Sequence, residues 1–350
     1  MQKITHRCPS NIALIKYWGK KGVQLPENPS LSLTLSQSFT EMTIEYGLKD
    51  DTINKKGDKI GENQQQITTE FLFEGQPNEK FKAKIDAFLQ NQLPQLSWLS
   101  KVYLKISSSN SFPHSTGIAS SASSMGALAL CLCSIEQQLE GNLLDKTAYL
   151  RQASFFARLA SGSACRSVFP YMAAWGITPL LPNSSDEFAV PITDFHPIFK
   201  TYQNRILIVS ATEKAVSSRA GHALMNMHPF AKVRYEQAHT NMAKLLPALQ
   251  SGDLEMFGHV TENEALTLHA LMMNSEPSVI LMQPNTLVLL EKIKKFRHET
   301  KLPVYFTLDA GPNIHLLFPE NIQTQVDMWV NEELKPYCEN GKIIVDFVGK

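Results

Sequence analysis

The sequence predicts an α+β fold divided into two domains. Strand-like alternation and helix-like spacing interleave along the chain, without the regular strand–helix–strand cadence of a doubly wound sheet. At 350 residues the chain exceeds what one hydrophobic core comfortably serves. A loop rich in Pro, Asn and Ser at residues 182–186 then interrupts the pattern just past the midpoint. It sets the expected domains at 1–186 and 187–350.

Each element follows from its local pattern. Residues 30–35 and 41–46 alternate apolar and polar side chains as strands do, and so do residues 101–106. Residues 56–66 are polar and punctuated by Gly, the composition of a loop or hairpin tip. Helical spacing marks 80–92 and 145–159, and the apolar run 125–135 predicts a buried helix. Past the central loop, RILIVS at 205–210 reads as a buried strand, and 231–249, 254–273 and 286–299 as helices. Strands at 304–308 and 314–318 flank the turn DAGPN, 323–334 is helical, and 342–348 closes with a strand. No repeat, heptad or low-complexity tract occurs.

Composition excludes several classes. Acidic and basic residues balance at 33 each, against a nucleic-acid binder, which shows a basic excess. Five cysteines without framework spacing argue against a disulfide-stapled secreted protein. Cys131 and Cys133 lie two apart on a helix, the wrong offset for joint metal ligation, and read as core residues. The first twenty residues lack an apolar signal region, and no run approaches the roughly 18 apolar residues of a membrane span. The expectation is a cytoplasmic protein. P-loop, dinucleotide, H-E-x-x-H and G-x-S-x-G motifs are all absent, so a hydrolase built on Ser163 has no support.

Four segments carry candidate chemistry. In NSFPHSTGIASSASS, residues 110–124, Gly117 and a cluster of serines crowd the start of the apolar helix. Small residues allow close backbone approach, the first helical amides lack internal partners, and the helix dipole favours an anion. That combination suits a phosphate, although serines also cap helices. In PSNIALIKYWGK, residues 9–20, a helix would project Lys16 and Lys20 from one face, whereas a strand entering a turn at Gly19 would release Lys20 alone. In SGSACRS, residues 161–167, Arg166 offers the planar fork that grips carboxylate or phosphate. In YFTLDAGPNIH, residues 305–315, Asp309 ends an apolar strand before a Gly-Pro turn; it is either a turn carboxylate or a fixed base facing a hydroxyl.

Together these segments resemble the GHMP kinase superfamily and, within it, the mevalonate diphosphate decarboxylase family. PHSTGIASSAS is similar to the superfamily's phosphate loop, while NIALIKYWGK, SGSACRS and DAGPN are selective for the decarboxylases and stand in their order. LPENPSLSLTLSQ at 25–37 and KAVSSRAG at 214–221 extend the match over nearly the whole chain. The sequence departs from the family's pattern at His114-Ser115-Thr116, Ile118, Ala160 and Pro170-Tyr171, none of them a charged catalytic position.

The resemblance implies a GHMP-kinase-like fold, with an N-terminal mixed α/β domain, a C-terminal ferredoxin-like α/β sandwich and the active site in the cleft between them. It implies Asp309, Arg166 and Lys16 as catalytic residues. Asn11, Tyr17, Lys20, Ser161, Ser163, Ser218 and Arg219 would contact the substrate and its diphosphate. Ser108, Asn110, Gly117, Ser120, Ser121 and Lys214 would hold ATP, with Ser120 also the candidate Mg2+ ligand. The implied reaction is ATP-dependent decarboxylation of mevalonate 5-diphosphate to isopentenyl diphosphate, in a homodimer that binds neither nucleic acid nor membrane. No organic electron sink is needed, because the phosphorylated tertiary alcohol is itself the leaving group. Competing readings are a kinase that stops at the phosphorylated alcohol, a decarboxylase of the monophosphate, and a non-catalytic metabolite sensor.

Overall fold

The computed structural model describes residues 1–49, 67–113, 120–212 and 218–349, with Ser218 and Arg219 described by backbone alone. The reading of 56–66 as a loop, together with Gly117 and Lys214, lies outside the described residues.

The N-terminal sheet is organised on one long strand. β1 (Gln2–Ile15) leads through a small hairpin, β2 (Lys20–Lys21) and β3 (Leu25–Pro26), into β4 (Ser30–Leu48). β4 pairs antiparallel with β1 along one edge. On its other edge it pairs with β7 (Val102–Asn110) through residues 40–48 and with β8 (Met172–Trp175) through residues 30–33. β5 (Thr68–Phe73) and β6 (Gln76–Pro77) extend the β7 end, and β9 (Ala189–Pro191) extends the β8 end. β9 follows the 182–186 loop yet joins the first sheet. The two strands expected at 30–35 and 41–46 are thus one. The pairing with β1 slips between Pro9 and Asn11, and β4 bulges through residues 35–38 where alternation fails. Asp346 ties that bulge down, accepting the amides of Ser36, Gln37 and Ser38 at 2.8–2.9 Å.

α1 (Glu79–Gln92), α2 (Ser120–Glu140), α3 (Lys146–Ala160) and the short α4 (Ala164–Ser167) cover one face of this sheet. α2 is the expected apolar helix, fully buried through Ala127–Cys133 apart from traces at Leu130. All five cysteines are buried thiols, as core residues should be.

The C-terminal sheet runs β11 (Tyr305–Thr307), β12 (Ile314–Phe318), β10 (Gln203–Leu207), β13 (Ile343–Phe347). α5 (Ser218–Ala223), α6 (Ala231–Ser251), α7 (Leu254–Met273) and α8 (Pro284–Thr300) lie between β10 and β11 in sequence, and α9 (Gln323–Trp329) between β12 and β13. This is a β-α-β-β-α-β order with spatial order 4-1-3-2, the ferredoxin-like arrangement the sequence implied. The helix expected at 323–334 ends at Trp329 and widens into a π-turn over Val330–Leu334. Period-two alternation splits the sheet's side chains. Ile206, Tyr305 and Leu317 pack towards α6, α7 and β1, while Leu207, Phe306 and Leu316 pack towards α8 and α9. The first of these cores contains Ile12, Leu14 and Ile15 of β1, so the two domains share buried surface. No helix among the described residues is long and apolar enough to cross a membrane.

Candidate active site

Residues 9–20 form no helix: 9–15 end β1, and 16–19 are an irregular connection leading to β2. Residues 10–15 are buried on both faces, and the chain leaves the sheet at Lys16. Outside the ladder, the peptide groups of Lys16 need other partners. Its N–H donates to Glu264 Oε2 at 2.8 Å, and its C=O accepts from Asn28 Nδ2 and Arg234 Nη2, both at 3.0 Å. The side chain does not reach solvent. It is 2% exposed, and Nζ donates to Asp309 Oδ1 at 2.9 Å and to the Ala13 carbonyl at 2.7 Å. Burial lowers the Lys16 pKa from the usual lysine value, and the Asp309 carboxylate is the strongest influence raising it.

Asp309 follows β11 in a turn pinned from several sides. Asn313 accepts the Ser210 amide and donates to the Ser210 carbonyl, and Thr286 Oγ1 donates to Pro312. His269 Nε2 donates to the Asp309 carbonyl at 3.1 Å, which fixes the proton on that nitrogen because a carbonyl only accepts. Burial holds the His269 pKa at about 4, so the ring is neutral at physiological pH. The Asp309 carboxylate itself is 28% exposed.

Arg166, on α4, completes the centre. Its Nε donates to Ser32 Oγ at 3.0 Å and its Nη1 to Ser30 Oγ. Burial lowers its pKa, and Asp309 is among the groups that raise it. Lys16 in turn feels Arg166 as a like charge. Lys16 and Arg166 come from the N-terminal domain and Asp309 from the C-terminal one, so the centre sits at the domain junction.

Beyond Lys16 the chain turns through Gly19, whose φ of +95° a side chain would resist and whose missing Cβ makes room for the Tyr235 ring. Tyr17 packs between Trp175 and His222, at ring distances of 4.6 and 4.2 Å, and its buried hydroxyl has no hydrogen-bond partner among the described residues. His222 Nδ1 accepts the Gly19 amide, and burial, with help from Lys20, pushes its pKa down to about 3. Lys20 opens β2 within reach of Gln24 Oε1, at 3.4 Å.

Comparison with known proteins shows what the chain is similar to as a whole. The chain matches the diphosphomevalonate decarboxylase-like N-terminal domain over residues 8–179 and the mevalonate 5-diphosphate decarboxylase C-terminal domain over 205–345. A diphosphomevalonate decarboxylase from Ganoderma lucidum is 31% identical, over 97% of this chain and 83% of the relative. The chain belongs to the diphosphomevalonate decarboxylase family. Among solved structures, a mevalonate diphosphate decarboxylase from Legionella pneumophila superposes with a TM-score of 0.80 at 28% identity, covering 98% of this chain and 100% of the other. A structure described as "MDDEF in complex with MVAPP, AMPPCP and Magnesium" gives 0.80 at 27%, covering 99% and 97%.

The remaining decarboxylase motif residues fall into two groups. Around Arg166, Asn11 Nδ2 donates to Ser167 Oγ at 2.7 Å and to the Ser163 carbonyl at 3.3 Å, stitching β1 to the SGSACRS turn. Ser161 closes α3 and Ser163 opens α4. Ser108 and Asn110 lie two apart on β7 and so share a face; Asn110 Oδ1 accepts from Thr40. Ser120 and Ser121 open α2, and the Ser120 carbonyl accepts the Ser124 hydroxyl at 2.8 Å. Ser218 and Arg219 open α5.

Residues the sequence reading passed over surround the centre: Asn28, His222, Arg234, Glu264 and His269. One signal was available for Glu264. It stands four residues after Val260 and seven after Phe257, on the apolar stripe of α7, where a carboxylate has no place unless partnered.

Proposed function

We infer that the Lys16–Asp309–Arg166 centre is where this chain performs its chemistry. The chain is an ATP-dependent diphosphomevalonate decarboxylase, converting mevalonate 5-diphosphate to isopentenyl diphosphate with ATP and Mg2+. The observation that supports the residue assignment best is the 2.9 Å contact between a buried lysine and a partly exposed carboxylate delivered by different domains.

In this reading Asp309 orients the substrate's 3-hydroxyl and takes its proton as the γ-phosphoryl group of ATP transfers to the oxygen. The phosphate then leaves with its C–O bonding pair while the C–C bond to the carboxylate breaks. That second pair forms the alkene, and CO2 departs. Lys16 keeps Asp309 ionised by proximity. Arg166 holds the carboxylate. Two serines fix its Nε and Nη1, while Nη2 has no protein hydrogen bond among the described residues. Tyr17, Lys20, Ser161, Ser163, Ser218 and Arg219 are assigned to contact the substrate, and Asn11 supports the Ser163 turn. Ser108, Asn110, Gly117, Ser120, Ser121 and Lys214 bind ATP. The donors opening α2 are hydroxyls, without an acidic residue in the first turn. They fit a magnesium ion carried mainly by nucleotide phosphates, with Ser120 the protein ligand; the chemistry such an ion supplies is charge neutralisation.

We further propose a cytoplasmic homodimer, on the family resemblance, with sedimentation velocity as its test. The domain division is proposed to fall in the linker between β9 and β10. Enzyme activity is tested by quantifying ADP and CO2 together from ATP, Mg2+ and mevalonate 5-diphosphate. Equal yields are expected. ADP alone would indicate a kinase, and turnover only with the monophosphate would reassign the substrate.

A further inference from the structure

We propose that helix α7 is the spacer of the reacting centre, with Glu264 and His269 as positioning residues that hold Lys16 and Asp309 at their working separation. The proposal rests on the reading of Lys16–Asp309 as that centre.

Glu264 is fully buried and saturated. Its oxygens accept from the Lys16 amide at 2.8 Å, Arg234 Nη1 and Nη2 at 2.8 and 2.6 Å, and Asn241 Nδ2 at 2.7 Å. An ion pair serving only to tie α6 to α7 would be complete without Lys16. Here Glu264 takes the N–H of Lys16 while Arg234 gives to its C=O, so the pair brackets that residue's backbone. Five residues on, about 7.5 Å along the helix axis, His269 donates to the Asp309 carbonyl. Farther back on α7, Glu262 accepts the Phe306 amide of β11, the strand that delivers Asp309. One helix therefore grips the backbones on both sides of the Lys16–Asp309 contact. The rise of a helix is fixed, so their spacing is set by a single rigid element although they belong to different domains. Among the described residues, the titratable side chains coupled to Asp309 include Lys16 from the end of β1, Arg166 from α4 and His269 from α7. A neutral His269 anchors the turn without adding a third cation.

The test is steady-state kinetics of the full-length enzyme carrying His269→Phe, His269→Gln or Glu264→Gln. His269→Phe should lower kcat about 10- to 100-fold, the scale of a sub-ångström to ångström misplacement, with both KM values within about threefold. His269→Gln retains an N–H donor and should recover most of the loss. Glu264→Gln should show the same kcat-selective loss, and the double variant less than the product of the singles, because both act on one distance. A kcat within about twofold of wild type for His269→Phe, no recovery with Gln, or fully multiplicative losses would each overturn the proposal. If Glu264→Gln does not fold, the His269 series decides alone. An Asp309→Ala variant with wild-type turnover would instead remove the reading on which the proposal rests.

Discussion

Two ion pairs meet at Lys16, and they are built to different ends. Arg234–Glu264 is sealed, its side chains 1% and 0% exposed, and each carboxylate oxygen accepts two hydrogen bonds. Lys16–Asp309 joins a buried ammonium to a carboxylate that is 28% exposed. The sealed carboxylate has no capacity left and can only hold other groups in place. The half-open one retains access for a ligand and a cation to keep it ionised. A buried ion pair is weak evidence for function. A buried cation facing an accessible carboxylate across a domain junction is much stronger evidence, because perturbed ionisable groups beside an accessible surface cluster at functional sites.

Substitutions should separate the two pairs cleanly. Asp309→Ala is expected to lower turnover by about 10² to 10⁴ while leaving the melting temperature within a few degrees, measured by product formation and calorimetry. Glu264→Ala should strike the fold as well as turnover. It strands Arg234 in the interior and should destabilise the fold by about 3–5 kcal/mol, read from denaturant unfolding. Asp346→Ala probes a third, purely architectural carboxylate, the one that caps the β4 bulge. Losing its acceptors leaves strand amides unsatisfied at a cost of about 2–3 kcal/mol, while kcat of the folded enzyme stays at the wild-type value.

The smallest effect concerns pH. The pKa values of His269 and His222 drop from 6.5 in the unfolded chain to about 4 and about 3 in the fold. Between pH 6.5 and 4 the unfolded state therefore binds more protons, and these residues make stability fall as pH falls. Thermal melts across that window should decline less steeply for His269→Phe than for wild type.

Much of this architecture was legible in the sequence, for identifiable reasons. The helix 254–273 and the strand 314–318 have the bounds their periodicity gave, because Asp253 caps the first and Pro319 follows the second. β1 was missed because Pro9 and the charged, half-exposed residues before it break the alternation that marks a strand. Lys16, Arg166 and Asp309 were readable because each sits in a distinctive motif. Their supports were not. Glu264 contacts a residue 248 positions away, and nothing local announces that partner. Nor did spacing choose between helix and strand for residues 9–20, since Lys16 and Lys20 fit either. The structure decided it, and Lys16 proved buried.

We assign Asp309 as the acceptor of the substrate hydroxyl's proton. Its most direct test is Asp309→Asn, which preserves shape and removes the base, assayed for ADP and CO2 in parallel with calorimetric binding of mevalonate 5-diphosphate. Binding should stay near the wild-type affinity, with both products lost together by at least about 10²-fold. Binding intact and ADP still released at the wild-type rate would contradict it.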